Sequence, residues 1–294
     1  MTDRRLTPAN GRVAHSSLEG KVEAKRFTDG HLRQIGGTTA AIYDHHIDDP
    51  KCARDRELIT GDYFTVLEYD DRCAFGISEK DGYVGYVPRH NLVLPDTPTH
   101  MVVAPRSYAK ETPGLKSTAQ TTQLSFGAKV TVTKDIDGWS EIIMLRTDER
   151  PEGHKFYVPT VHLRPLPATM SDSVDVAQLL MGTPYLWGGN SAFGIDCSGL
   201  VQMGCLACGI NCPGDSDMQQ ADLGRLLSDD AELKRGDLLF WKGHVAWVSD
   251  PNTILHANAY HMAVAFEPLD EAIKRIADQG DGPVTARKRL GGTT

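Results

Sequence analysis

The sequence predicts a multidomain chain: two small all-β barrels followed by an α+β domain. Three observations carry that prediction. An internal near-repeat fills the first half, each copy reads as short β segments broken by turn signals, and after residue 168 the pattern changes to helix first, then strands. A chain of 294 residues also exceeds the roughly 100–200 residues of one ordinary domain.

The repeat sets the first boundaries. Leu58-Ile59-Thr60-Gly61 with Phe64-Thr65-Val66 recurs 66 residues later as Leu124-Ser125-Phe126-Gly127 with Val130-Thr131-Val132. Tyr86-Val87-Pro88 and Leu92 recur as Tyr157-Val158-Pro159 and Leu163, now 71 residues later, so a longer loop is expected around Thr147–His154. Asp70-Asp71, Asp81-Gly82 and Asp137-Gly138 supply the turns between strands. Two copies are too few for a solenoid and fit tandem barrels, at 36–97 and 98–168. Residues 1–35 form an N-terminal extension in which Glu19–Phe27 reads as a short helix. Leu163–Pro167 stops the second barrel, since Pro removes ladder donors.

Residues 169–294 form the third domain. Ser171-Asp172 caps a helix carrying Val174, Ala177, Leu179 and Leu180. A Gly-rich loop at 182–194 leads to a second helix from about Asp196 to Ala207. Strands follow at Asp237–Trp241, His244–Ser249, Thr253–His256 and Ala263–Phe266, then a helix at Leu269–Ala277 and a last strand at Val284–Leu290. Helix first and antiparallel strands after it indicate an α+β fold.

Composition narrows the function. The chain is 40% hydrophobic and 24% charged with a net charge of −8, which argues against nucleic acid or an anionic membrane as the main partner. The longest apolar runs, such as Ile142–Leu145 and Ala263–Phe266, are far short of the roughly 18 residues of a membrane span. Arg4 and Arg5 precede no apolar stretch, so the expected location is the cytoplasm. The six cysteines suit thiols better than a disulfide framework.

Cys197 stands out among them. It follows the loop Gly188-Gly189-Asn190 to Gly194 and opens an apolar-periodic helix, where unpaired N–H groups and the helix dipole favour a thiolate. The plainer reading is a small buried side chain. Cys205, Cys208 and Cys212 lie on that helix and in its exit loop; their spacing suits packing better than a zinc site, which wants two well-separated pairs.

A longer set of strings surrounds Cys197: Tyr185-Leu186-Trp187-Gly188-Gly189-Asn190, Phe193-Gly194-Ile195-Asp196-Cys197-Ser198-Gly199-Leu200-Val201, Arg235-Gly236-Asp237-Leu238, His244-Val245-Ala246 and Leu255-His256-Ala257. In order and spacing, this set resembles the NlpC family of papain-like cysteine peptidases, over about Asp172 to Leu290. Each copy of the repeat resembles a bacterial SH3-like domain, with a closing Gly-x-Val-Pro or Tyr-Val-Pro strand and an apolar residue four positions on. Trp139 follows an Asp-Gly turn as in that family, and Cys73 takes its place in the first copy. The arrangement as a whole is similar to the γ-D-glutamyl-L-diamino acid peptidases, the dipeptidyl-peptidase subgroup.

The resemblance implies roles. Cys197 would be the nucleophile, ionised by an imidazolium lying against it. His244 would be the base that pairs with it and later protonates the leaving amine. His256 would orient His244, with His261 a competitor that no motif supports. Tyr185 would hold the oxyanion together with the Cys197 N–H. Trp187 would wall the groove. Asp196 and Ser198, which flank the nucleophile, would bind substrate in the groove, and Pro213-Gly214-Asp215-Ser216 with Gln219 resembles a groove-lining segment in which Gly214 replaces the usual Arg and Asp215 is a candidate partner for a substrate ammonium. Glu68 and Tyr86 are the barrel candidates for gripping a substrate ammonium, beside their plainer reading as a solvated charge and a packed aromatic. Asp237 reads as a structural turn carboxylate.

The implied substrate is a peptidoglycan-derived peptide, L-Ala-γ-D-Glu-diaminopimelate, cut at the γ-D-Glu–diaminopimelate bond without metal or organic cofactor. Two alternatives stand beside it. One is an N-acetylmuramoyl-L-Ala amidase or acyltransferase with the same triad; the other is a wall-binding adaptor whose C-terminal domain is inert.

Overall fold

The computed structural model describes residues 3–167 and 169–291. The outermost positions of the expected boundaries, 1, 2, 168 and 292–294, lie outside the described residues. Contacts divide the chain into two compact units, 1–168 and 169–294.

The first unit holds two seven-stranded sheets with one connectivity. In the first, the spatial order is Arg54–Ile59, Thr39–Tyr43, Val84–Pro88, Cys73–Ser78, Tyr63–Tyr69, His31–Ile35, Leu92–Val93. In the second it is Thr121–Ser125, Arg106–Lys110, His154–Pro159, Trp139–Met144, Lys129–Ile136, His100–Val102, Leu163–Pro165. Every strand therefore has its counterpart in the same place. Cys73 pairs with Pro88 as Trp139 pairs with Pro159, so the two residues are true equivalents. The longer second repeat is taken up in the loop 145–153, opposite 79–83 in the first. Each sheet closes its own core: Leu67, Phe75, Val84 and Tyr86 in the first, Leu124, Val130, Ile142 and Val158 in the second.

Three expectations change here. His31–Ile35, placed in the extension, is a strand of the first sheet, paired with Tyr63–Tyr69. Leu163–Pro165 does not end the second sheet but forms its edge strand, pairing with His100–Val102; an edge is where Pro is tolerated. Glu19–Phe27 is no helix. A 3₁₀ turn at Ser16–Leu18 is followed by Gly20 at φ +76°, a left-handed conformation that stops helix growth, and then by the strand Arg26–Thr28.

Among the described residues the second unit has four α-helices, a six-stranded sheet and a two-stranded hairpin at Asn190–Ser191 and Gly194–Ile195. The helices are α1 (Ser173–Leu179), α2 (Cys197–Ala207), α3 (Ser216–Asp222) and α4 (Leu269–Asp278). The sheet runs Arg225–Leu226, Ala286–Arg289, Asp237–Trp241, His244–Asp250, Thr253–Asn258, Ala263–Pro268, all antiparallel. Its central strands are buried on both faces, which explains their near-continuous apolar runs. One face carries α2, itself buried along almost its whole length and packed on the strands His244–Asp250 and Thr253–Asn258. The other packs Ala272 and Ile276 of α4 against Leu239, Trp241, Ala246 and Val248. Among the described residues no helix is long and apolar enough to cross a membrane, and no disulfide is present.

Candidate active site

The site is built on the start of α2. Asp196 is its N-cap: Oδ1 accepts the Gly199 N–H at 2.6 Å and the Ser198 hydroxyl at 2.9 Å, while Oδ2 accepts the Gly188 N–H at 3.0 Å. One carboxylate thus ties the helix to the Gly-rich loop. The loop must come close to do this: a Cβ on Gly189 would lie 2.5 Å from the Gly194 carbonyl oxygen. Both oxygens of Asp196 and the Ser198 hydroxyl are therefore engaged within the domain, a scaffold role for two residues placed in the substrate groove by the sequence. Asp196→Ala is expected to lower unfolding stability by about 1–3 kcal/mol, the cost of a lost cap and orphaned buried N–H groups; a urea unfolding midpoint equal to wild type would contradict it.

Cys197 is thereby held at the first turn of α2, buried. Tyr185 lies beside it. Burial, then the charges of Cys197 and Asp196, push the Tyr185 hydroxyl above its ordinary range, so it stays protonated as a donor. Its backbone is pinned from two sides, donating to the Met262 carbonyl at 2.9 Å and bridging Ile195. Trp187, in the same loop, is 67% exposed. Behind the helix, Asn190 Nδ2 donates to Gln202 at 2.7 Å and Gln219 Nε2 to the Ser198 carbonyl at 2.9 Å, locking the loop and α3 onto α2. Asp215 and Ser216 start α3, Asp215 as N-cap residue without a side-chain cap bond.

The imidazoles come from the sheet. His244 opens one central strand and His256 lies in the antiparallel neighbour, with His244 Nε2 2.8 Å from His256 Nδ1. His256 is fully buried. It is His256 and not His261 that touches His244; the His261 ring is exposed and bonded to Asn258 at 3.0 Å, though it also lies within 4.8 Å of His256 and Glu267. Beyond His256 the chain of contacts continues through two residues that sequence reading did not single out. His256 Nε2 is 3.0 Å from Glu267 Oε2, and Arg275 donates from Nε to Oε1 at 2.8 Å and from Nη2 to Oε2 at 2.7 Å. Arg275 also stacks over Tyr260, 4.7 Å from the ring centroid.

Burial, the neighbouring His256 and the Arg275 guanidinium push the His244 imidazole down to about 3, against the raising pull of Glu267. His256 is lowered as well, by burial first. Burial alone would raise Glu267, yet Arg275 and His256 hold it down, to about 2. Burial, His256 and Arg275 thus all work against charge on the His244 ring. Glu267, the carboxylate behind His256, is already balanced by Arg275, so its raising pull on His244 is the smallest of these influences.

The remaining candidates separate. Asp237 is structural, as expected, accepting the Lys234 N–H and two bonds from Arg289 at 2.7 Å. Cys205, Cys208 and Cys212 are buried, and Cys212 Sγ accepts from Gln219 Nε2 at 3.5 Å. In the first unit, Glu68 and Tyr86 do share one pocket of about 360 Å³, lined also by Arg12, His46, Asp70 and Cys73. Glu68, however, already holds the Arg12 guanidinium at 2.7 Å, and Asn10 reaches both Glu68 and the Tyr86 hydroxyl. A ligand ammonium there would have to displace Arg12. His46, Asp70 and Cys73 also converge. Yet the His46 ring accepts the Asp48 N–H at Nδ1 and contacts Asp70 through Nε2 at 2.7 Å, so hydrogen bonds already use both nitrogens.

Comparison with known proteins extends the picture. Residues 182–276 match the NlpC/P60 family, and residues 47–92 match the bacterial dipeptidyl-peptidase Sh3 domain. A probable endopeptidase NlpC of Escherichia coli is 34% identical over 113 residues, covering 33% of this chain and 72% of that protein. The chain belongs to the NlpC/P60 family. Its second unit thus holds the NlpC/P60 domain, and the first unit holds the Sh3 match. A dipeptidyl-peptidase 6 of Lysinibacillus sphaericus is 37% identical over 98 residues, 33% of this chain and 36% of that protein. A γ-D-glutamyl-L-lysine dipeptidyl-peptidase of Bacillus subtilis is 38% identical over 93 residues, 31% of this chain and 29% of that protein. The match spans only about a third of the length of these two relatives. The fold is shared more widely: an NlpC/P60 family protein from Bacillus cereus superposes with a TM-score of 0.71 at 17% identity, over 88% of this chain and 99% of that one.

Proposed function

We propose that this chain is a cysteine peptidase that hydrolyses the γ-D-glutamyl–diaminopimelate bond of cell-wall muropeptides carrying a free N-terminal L-Ala. The observation that carries the proposal is the placement of Cys197 at the N-terminus of α2 beside the Tyr185 hydroxyl, with α2 packed on the two strands that bear the linked rings of His244 and His256. Relatives named γ-D-glutamyl-L-lysine dipeptidyl-peptidase support a bond between γ-D-Glu and an L-diamino acid. The shared strand order of the two sheets supports reading both as SH3-like domains.

The chemistry is acyl transfer. His244, neutral at rest, takes the proton from Cys197 Sγ as the sulfur attacks the γ-glutamyl carbonyl. The tetrahedral oxyanion is held by the Tyr185 hydroxyl and the Cys197 N–H, donors worth on the order of 10²–10³ in rate each. His244 then gives its proton to the departing amine, and water cleaves the γ-glutamyl thioester. Because the base is neutral, kcat/KM should hold its plateau down to mildly acidic pH. A free-amine substrate is a turnover fragment without its sugar, which suits action in the cytoplasm.

Mass spectrometry of products tests the proposal. L-Ala-γ-D-Glu-diaminopimelate should yield the dipeptide L-Ala-D-Glu and diaminopimelate, and the N-acetylated tripeptide should be turned over far more slowly. Preference for a disaccharide-linked peptide, with cleavage at the muramoyl–L-Ala bond, would replace this reading by an amidase. No turnover of any of these, with an intact fold, would favour the adaptor.

A further inference from the structure

We propose that Glu267, clamped by Arg275, is a positioning residue that fixes the tautomers of His256 and His244, so that the catalytic ring presents a bare Nδ1. This rests on His244 being the base for Cys197. It concerns two residues outside that pair and can be tested without substrate.

A carboxylate that accepts two bonds from a guanidinium is ionised and can only accept. The contact of 3.0 Å between Glu267 Oε2 and His256 Nε2 therefore requires the proton on His256 Nε2. A neutral His256 then has its lone pair on Nδ1. The contact of 2.8 Å to His244 Nε2 in turn requires that His244 carry its proton on Nε2. His244 Nδ1 is left with a lone pair. That is the atom the reaction needs: the S–H bond of Cys197 breaks, an N–H bond forms at Nδ1, and the ring becomes cationic. With the opposite tautomers, Nδ1 already carries a proton and cannot take the one from sulfur.

The register of the sheet explains why Glu267 can do this. Ile254 pairs with Glu267, and His256 lies two residues along from Ile254 on the same face, so His256 and Glu267 are diagonal cross-strand neighbours. Both are buried, away from competing water. Arg275, one turn from the end of α4, reaches back across the strand end to keep the carboxylate ionised.

Long-range ¹H–¹⁵N correlation spectra of the full chain labelled in histidine, assigned with His244→Gln and His256→Gln, read the tautomers directly. In the wild type both rings should be in the Nε2–H form. In Glu267→Met the carboxylate acceptor is gone, and Arg275, a donor only, is left beside His256 with the His261 ring as the other titratable neighbour; both rings should switch to Nδ1–H. kcat should fall on the order of 10²–10⁴-fold with KM nearly unchanged, as when a serine triad loses its orienting carboxylate. Arg275→Met keeps the acceptor, so the Nε2–H forms should persist. Losing the positive charge should move the low-pH limb of kcat/KM up by about one unit. A wild-type His244 found as Nδ1–H overturns the proposal even if Glu267→Met does not fold. So does a folded Glu267→Met with unchanged tautomers. Failure of Cys197→Ala to lose activity would instead remove the peptidase reading and leave the tautomer result standing.

Discussion

Cys197→Ala is expected to abolish release of diaminopimelate from L-Ala-γ-D-Glu-diaminopimelate, lowering kcat by about 10⁴-fold or more, as removal of a covalent nucleophile does in other acyl-transfer enzymes. Nothing else in the site can substitute for it. Among the six cysteines only Cys197 opens α2 beside Tyr185, while Cys205 and Cys208 lie at the far end of that helix. The fold should be untouched. The helix cap is made by Asp196, whose carboxylate accepts from Gly199, Ser198 and Gly188. Single-turnover assays, with circular dichroism and thermal unfolding as controls, decide the matter. Turnover within tenfold of wild type in a folded variant would refute the nucleophile.

Stability should fall steadily in acid, beginning well above the carboxylate range. An unfolded histidine titrates near 6.5, whereas folded His244 is pushed down to about 3 by burial, His256 and Arg275, and His256 is lowered too. Between those limits the unfolded state binds more protons, so stability is full above about pH 6.5 and is lost as pH drops toward 3. Each such group contributes a slope of up to about 1.4 kcal/mol per pH unit. Glu267 acts in the same direction lower down: its ordinary value of 4.5 falls to about 2, so its contribution is present above 4.5 and disappears on the way to 2. Urea midpoints followed by tryptophan fluorescence test this, since Trp187, Trp241 and Trp247 belong to the second unit. His244→Gln removes one titrating ring and should flatten the curve between pH 6.5 and 4.5. Parallel curves for wild type and variant would show that His244 is not held neutral.

These expectations draw on features of unequal visibility in the sequence. The strand Asp237–Trp241 was legible to the residue and the start of α2 to within one, because apolar periodicity and flanking Gly residues act over a few positions; that Asp196 caps α2 was not read. Tyr185, Cys197, His244 and His256 stood out as a set through the motifs that resemble a known family, and the fold brings the His244 and His256 rings into contact. Glu267 and Arg275 were not. Between Phe266 and Pro268, and within a helix of alternating charge, a Glu and an Arg read as solvated surface. Only the diagonal contact across paired strands and the return of α4 make them a buried ion pair behind His256.

The first unit shows the same division. The near-repeat announced two equivalent modules, and the equal strand order follows from it. That Glu68 is taken by Arg12 could not be read from residues 56 positions apart. Sequence by itself determined which elements form and which reactive side chains they carry, because propensity, capping and periodicity are short-range. Tertiary structure alone decided which charges are buried against which rings, and hence which way the His244 imidazole is pushed, because desolvation and ion pairing depend on neighbours brought together only by the fold.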